Sequence, residues 1–251
     1  MKIALGTAQF GMAYGIANAT GRVPESEVKR ILGLGRQNMI DTIDTAASYG
    51  QSESVLGSVG VNGYRIVTKV PPLPAGTNNP SAWLKGIIRD SLNNLEVNKL
   101  DVVLFHRSHD ITGDAGEALV SAAREVKNLG LVRKVGVSIY SPQELDILMA
   151  KFVPECVQAP INVFDRRMIN SGWLARLHQE GIEFHARSAF LQGLLVMKPS
   201  NRPDYFSHWR DELEAYDNWL LTSGLNAVQA NITYLIRVDE IDRVVVGVDS
   251  A

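Results

Sequence analysis

The chain has 251 residues, is 45% hydrophobic and 21% charged, and carries a formal charge of −2. Such a chain suits one globular domain with a large core, excludes a basic nucleic-acid-binding stripe, and nowhere approaches the roughly 20 apolar residues of a membrane span. Its single cysteine, Cys156, cannot close an internal disulfide and reads as a small buried apolar residue; with an apolar run after Lys2 too short for a signal peptide, a cytoplasmic protein is expected.

In chain order, Lys2–Leu5 is the first strand candidate, followed by the glycine-containing stretch GTAQFGMAYG, with no helix expected close behind it. Pro24–Leu34 reads as a helix, with Pro and Glu in its first turn. Met39–Asp44 and Arg65–Lys69 are strands. Ser81–Leu95 places Trp83, Leu84, Ile87, Ile88, Leu92 and Leu95 on one helical stripe. The strand Leu100–His106 precedes a helix over Ala115–Leu129 that Gly130 stops. Lys134–Ser138 leads into Ser141–Met149, whose Ser-Pro start and Glu144 mark a helix N-terminus. Glu155–Pro160, a helix Met168–Gln179 ended by Gly181, and Glu183–Arg187 follow. Lys198–Tyr205 is the most loop-like stretch and is expected to order around a ligand; Trp209 and Tyr216 sit on a further helix. Asn226–Ile236 is helical and Arg243–Val246 is the last strand.

Several strand candidates are continuous apolar runs, such as VVLF and VVVGV, as parallel strands covered by helices require. Eight strand–helix alternations predict a closed (β/α)8 TIM barrel, one domain over residues 1–251. The rival, an open doubly wound sheet, calls for a G-x-G-x-x-G turn after the first strand, which the sequence lacks. The chain ends shortly after Gly247, so the barrel reads as lacking its final helix.

Barrels of this kind carry their chemistry at the C-terminal ends of the strands. Asp44 closes MIDTID, Tyr49 follows in DTAASYG, Lys69 closes RIVTK and His106 closes DVVLFH. Singly, each reads as a cap, a solvated strand end or a satisfied core residue; together, at neighbouring strand ends, they read as a site. Glu53, Glu144 and Asp165 read as caps or surface charges. No metal-ligand spacing and no G-x-S-x-G elbow occurs.

These motifs resemble the aldo-keto reductases. Asp44–Gly50 is similar to that family's D-T-A-x-x-Y-G. Ser91–Leu95 with Asp101, His106 and Arg107 resembles its S-L-x-x-L…D-x-x-x-x-H-R, Val135–Ser138 its G-V-S-N strand, Val157–Asn162 its V-Q-x-x-Y-N, and Gly193–Leu195 its G-L-L turn. The resemblance implies a tetrad of Asp44, Tyr49, Lys69 and His106 that reduces an aldehyde, ketone or sugar carbonyl with NADP(H), NAD(H) being the alternative. Hydride attack leaves negative charge on the carbonyl oxygen, and that oxygen must receive a proton. Free tyrosine, with a pKa near ~10, gives one up reluctantly; a cation beside the phenol favours the phenolate. Asp44 would hold Lys69, and His106 would orient the carbonyl.

For the cofactor the resemblance implies Gly6 and Thr7 on the first strand end, Ser138, Gln158, and Arg187 where the family places an aromatic ring against the nicotinamide. Ile139 stands where the family has Asn. The basic residues that read a 2′-phosphate past the eighth strand are not visible. Phe10, Met12, Tyr14, Arg107, His109, Trp209 and Tyr216 are expected around a substrate, in an open mouth with short loops after the first and fourth strands. The expected partner is a small carbonyl compound, with neither nucleic acid nor membrane. The two rival readings are a cofactor-binding regulatory or scaffold subunit with little turnover, and a barrel isomerase or lyase using Lys69 as a Schiff base.

Overall fold

A computed structural model describes residues 2–251. Its strands are β1 (Ile3–Gly6), β2 (Thr42–Asp44), β3 (Arg65–Val70), β4 (Leu100–Phe105), β5 (Val132–Ser138), β6 (Cys156–Pro160), β7 (Glu183–Arg187) and β8 (Arg243–Gly247). All pair in parallel, each with its sequence neighbour, and β8 returns to β1 through Ile3 opposite Val244 and Gly6 opposite Gly247. The sheet therefore closes into the expected barrel.

The helices are α1 (Ala8–Gly11), α2 (Glu25–Gln37), α3 (Ser52–Val59), α4 (Pro80–Asn94), α5 (Ser108–Thr112), α6 (Gly116–Asn128), α7 (Gln143–Leu148), α8 (Arg167–Asn170), α9 (Trp173–Gln179), α10 (Arg210–Ser223) and α11 (Ala227–Ile236). The stripe on α4 buries Leu84, Ile88 and Leu92 as its spacing demands, and Asn79 caps it by accepting from the Ala82 N–H at 2.9 Å. Gly130, at φ +77°, ends α6. Among the described residues no helix follows β8.

Three features depart from the sequence reading. A short helix, α1, does follow β1 directly, and α3 lies between β2 and β3. The segment expected as one helix over Met168–Gln179 is α8 and α9, separated at Gly172, which takes a left-handed φ of 79°. The connection after β1 is long, and it closes on the loop after β7: the Ile16 N–H donates to the Gln192 carbonyl at 2.8 Å. The mouth is thus roofed on one side instead of open.

Alternate strand positions face the lumen. An apolar plug of Val67, Val102, Leu104 and Cys156 fills its middle, and burial pushes the Cys156 thiol well up, which leaves it an inert core residue. Below the plug lies a charged base; above it lies the mouth. Among the described residues no helix is long and apolar enough to cross a membrane.

Candidate active site

The mouth opens into a cleft of about 500 Å³ lined by residues from several strand ends, Asp44, Tyr49, Lys69, His106 and Arg187 among them. Lys69 occupies the last lumen-facing position of β3 and is only 1% exposed. Its ammonium donates to Asp44 Oδ1 at 2.6 Å and to the Thr45 carbonyl at 2.9 Å. Burial alone would pull the Lys69 pKa down; the Asp44 carboxylate and the Tyr49 phenol outweigh it and hold it above the ordinary value. The amine is therefore charged at neutral pH, although it is almost fully buried.

Tyr49 stands over this ammonium, with Lys69 Nζ 5.1 Å from its ring centroid. The backbone brings it there. Residues 45–47 continue β2 against β3, with the Thr45 N–H on the Val67 carbonyl and the Ala47 N–H on that of Lys69. The chain then turns back onto α1, whose closeness leaves no room for side chains. A Cβ on Gly11 would lie 1.7 Å from the Tyr49 carbonyl oxygen, and one on Gly50, at φ +57°, would lie 2.6 Å from the Gly11 oxygen. The α1 helix thus serves as a backbone buttress for Tyr49.

His106 packs edge-on to Tyr49, ring centroids 6.2 Å apart. Burial, helped by the Lys69 and Arg187 cations, lowers its pKa to about 4, so the imidazole is neutral. Ser48 Oγ lies 3.3 Å from His106 Nδ1. With the hydroxyl donating to Nδ1, Nε2 carries the proton and faces the mouth as a donor. Ser48 is a partner the sequence did not single out.

Asp44 has a second bond. Its Oδ2 accepts from Gln158 Nε2 at 2.7 Å, and the carboxylate, being an acceptor only, fixes which end of the amide faces it. Gln158 Oε1 is then left buried without a partner. A buried orphan acceptor in a cleft needs a donor from a ligand, and a carboxamide N–H₂ such as that of nicotinamide supplies one. Ser138, on β5 opposite Gln158, lines the same cleft, and Gly6 and Gly247 pair side by side at the ends of β1 and β8, with the Gln9 amide lying against Gly247. These residues fit a nicotinamide cofactor.

Other expected contacts fall elsewhere. Thr7 lines the cleft, but its hydroxyl is spent on the Asp44 carbonyl at 3.0 Å. Phe10 is fully buried in the core and does not face the mouth, because α1 turns it inward. Met12, Arg107 and His109 are exposed outside the cleft. Trp209 lies outside it too, and Tyr216 is buried against Leu194, Leu195 and Leu213, donating to the Leu195 carbonyl. Only Tyr14 of that group lines the site. Lys198–Tyr205 does not reach the cleft; Arg202 ties this stretch to Asp217 by two bonds of 2.6 and 2.7 Å. Glu53 is not a surface charge: it is buried and accepts from Thr68 Oγ1 at 2.6 Å.

Arg187 reaches sideways. Its Nη2 donates to the Ile139 carbonyl at 3.0 Å, its Nη1 to Ser188 Oγ at 3.2 Å, and the guanidinium lies over the Tyr140 ring at 4.3 Å. Ile139 itself is buried in the core and offers the site only this carbonyl. Ser188, Leu191 and Gln192 all take positive φ, at 60°, 48° and 56°, strain of a kind that persists where the surroundings hold it. Here the holding partners include Asn162, whose Nδ2 donates to the Ser188 carbonyl at 3.1 Å, and the first loop, where the Gly193 Cβ position lies 2.5 Å from Ala17 Cβ.

The Aldo/keto reductase family model matches residues 2–251. An uncharacterized oxidoreductase of Bacillus subtilis, YqkF, is 24% identical over 83% of this chain and 73% of its own length. The chloroplastic pyridoxal reductase of Arabidopsis thaliana is 30% identical over 53% of this chain, a match that spans 41% of that protein. Among solved structures, the aldo-keto reductase AKR11C1 from Bacillus halodurans in its holo form superposes with a TM-score of 0.77 at 22% identity, over 99% of this chain and 82% of that one. The glycerol dehydrogenase AKR11B4 from Gluconobacter oxydans gives 0.74 at 21%, over 99% and 83%. The chain belongs to the aldo/keto reductase family and is an oxidoreductase of that kind.

Proposed function

We propose that this aldo/keto reductase family member reduces an aldehyde, ketone or sugar carbonyl to the alcohol with a nicotinamide cofactor, and that Tyr49 is the proton donor. The observation that carries this reading is the buried Lys69 ammonium, held by Asp44 at 2.6 Å and set 5.1 Å from the Tyr49 ring centroid. A charge so placed has no structural use that an apolar side chain would not serve as well.

The cofactor, when bound, supplies the hydride that becomes the new C–H bond and is itself oxidised. Ser138 and the free Gln158 Oε1 would hold its carboxamide. The neutral His106 donates from Nε2 to the carbonyl oxygen and fixes its direction. As that oxygen gains electron density, Tyr49 Oη transfers its proton to it; one O–H bond breaks and another forms. Lys69 stabilises the negative charge left on the phenol oxygen, which recovers a proton from solvent at the mouth. Asp44 keeps Lys69 in position and takes no proton.

The test is cofactor oxidation with a panel of aldehydes. Tyr49→Phe is expected to lower turnover by roughly 10²–10⁴-fold while cofactor affinity, read by fluorescence quenching, stays near the parent value. A variant as fast as the parent ends this mechanism. A parent that binds cofactor and turns over nothing favours the regulatory reading. Parallel titrations with NADPH and NADH decide the cofactor, NADPH being the family expectation.

A further inference from the structure

We propose that Arg187 makes the cleft selective for carbonyl substrates that also carry a carboxylate or a phosphate. This rests on the carbonyl-reduction reading of the same site and names the chemical class it takes.

The argument is one of charge pairing. The lining of the cleft includes two cations, Lys69 and Arg187, and two carboxylates, Asp44 beside Lys69 and Asp249 past the end of β8. Lys69 is neutralised by Asp44 at 2.6 Å. Arg187 is not neutralised: its bonds go to a backbone carbonyl and a hydroxyl, and among the described residues no carboxylate lies within 4.0 Å of it. Contrast Arg202, which the fold buries with a bidentate carboxylate. A guanidinium held in a cleft on neutral partners has donors to spare and a desolvation cost that a bound anion offsets.

Position supports the same conclusion. Nη2 is anchored on Ile139, just past β5, and the plane is stacked on Tyr140, so the group leans across the end of β6 toward the β4–β5 side of the mouth. That is the side of His106, away from Gly6 and Gly247 on β1 and β8. Its charge is felt by His106, Lys69 and Tyr14, which puts it within electrostatic reach of any carbonyl held by Tyr49; Asp165 senses it too, but that carboxylate is bonded to Arg167 at 2.7 and 2.9 Å. Tyr14 and Tyr140 line the same cleft. The two anchors leave the guanidinium little freedom to lose on binding, so a rigid fork is presented to the ligand.

The experiment compares matched pairs: succinic semialdehyde against butanal, and glyceraldehyde 3-phosphate against glyceraldehyde. For the parent, kcat/KM is expected to favour the anionic member of each pair, and the advantage to shrink as salt is raised. Arg187→Gln is expected to lower the anionic-to-neutral ratio by roughly 10–100-fold, the worth of one or two charge-assisted hydrogen bonds, and Arg187→Lys to restore part of it. An unchanged ratio, or a parent with no preference, overturns the proposal. So does a variant whose main defect is cofactor affinity, measured by fluorescence titration. If the parent reduces no carbonyl, the functional reading fails on its own, and Arg187 is judged by calorimetry with succinate. Binding lost in Arg187→Gln sustains the anion site; equal binding in parent and variant refutes it.

Discussion

The two ends of the barrel use charge in opposite ways. At the base, Glu183 accepts from Lys134 at 2.7 Å and Arg65 at 3.2 Å and meets His185 at 2.9 Å, while Asp101 takes Arg133 at 3.2 Å. Carboxylates there also accept strand N–H groups: Asp101 from Ile66 and Asp242 from Phe184, each the second residue of its strand, and Glu155 from Val135 within β5. A buried backbone N–H needs an acceptor, and here the acids supply it. Burial alone would raise the Glu183 carboxyl, but the bonds from His185 and Lys134 hold it well below the usual carboxylate range. At the mouth the pairing is deliberately unfinished: Gln158 Oε1 has no donor and Arg187 no carboxylate. The base pairs its carboxylates and leaves His185 Nδ1 as its buried orphan, enclosed in the core, whereas the orphan acceptor of Gln158 lines a cleft that a ligand can enter.

Removing charge from each end in turn is the sharpest way to break this contrast. The largest effect is expected from Lys69→Met with Asp44→Asn, which deletes the buried ion pair of the mouth yet keeps an acceptor for Gln158. Turnover should fall by roughly 10³-fold or more, while denaturant unfolding stays within about 1 kcal/mol of the parent, as for other buried pairs replaced together. A large loss of stability would make the pair structural. Next is Glu183→Gln, which leaves two base cations without their shared anion. Unfolding should cost about 2–3 kcal/mol less, with turnover at 25 °C within about threefold; a selective loss of activity would erase the distinction between the ends.

The smallest effect is on the pH dependence of stability. His106 binds its proton more weakly folded, at about 4, than unfolded, near ~6.5. Between those values the unfolded chain holds the extra proton, so stability is full above pH ~6.5 and declines as pH falls toward 4. His106→Gln should flatten that window. Glu183, also depressed, contributes stability present above the unfolded carboxyl value of ~4.3 and lost on further acidification, so its loss begins where that of His106 ends. Melting curves from pH 8 to 3 in parent and variant separate the two.

The strands were legible from their short β-branched runs between helical patterns, and β4 and β8 most plainly, because a lumen wall covered by helices favours continuous apolar runs. The position of Asp44, Lys69 and His106 at strand ends was legible for the same reason: the end of a run fixes height on the barrel. Direction was not legible. Phe10 and Tyr14 share one loop, yet only the second faces the cleft, because α1 rotates the first into the core. The α3 helix, SESVLGSV, is too short and too rich in Ser and Gly to announce itself, and the burial of its Glu53 depends on Thr68, a partner on another strand. The closure of the first loop over Gln192 likewise rests on long-range backbone bonding that no local pattern encodes.

Asp44 spends one oxygen on Lys69 and the other on Gln158. A single carboxylate therefore spans the ammonium and the amide expected to read the cofactor, and whatever tugs on one arm is sensed by the other. By thermodynamic reciprocity, nucleotide affinity and the protonation of the lysine ought to rise and fall in concert. The dinucleotide would then bind with a pH profile of its own before any carbonyl arrives.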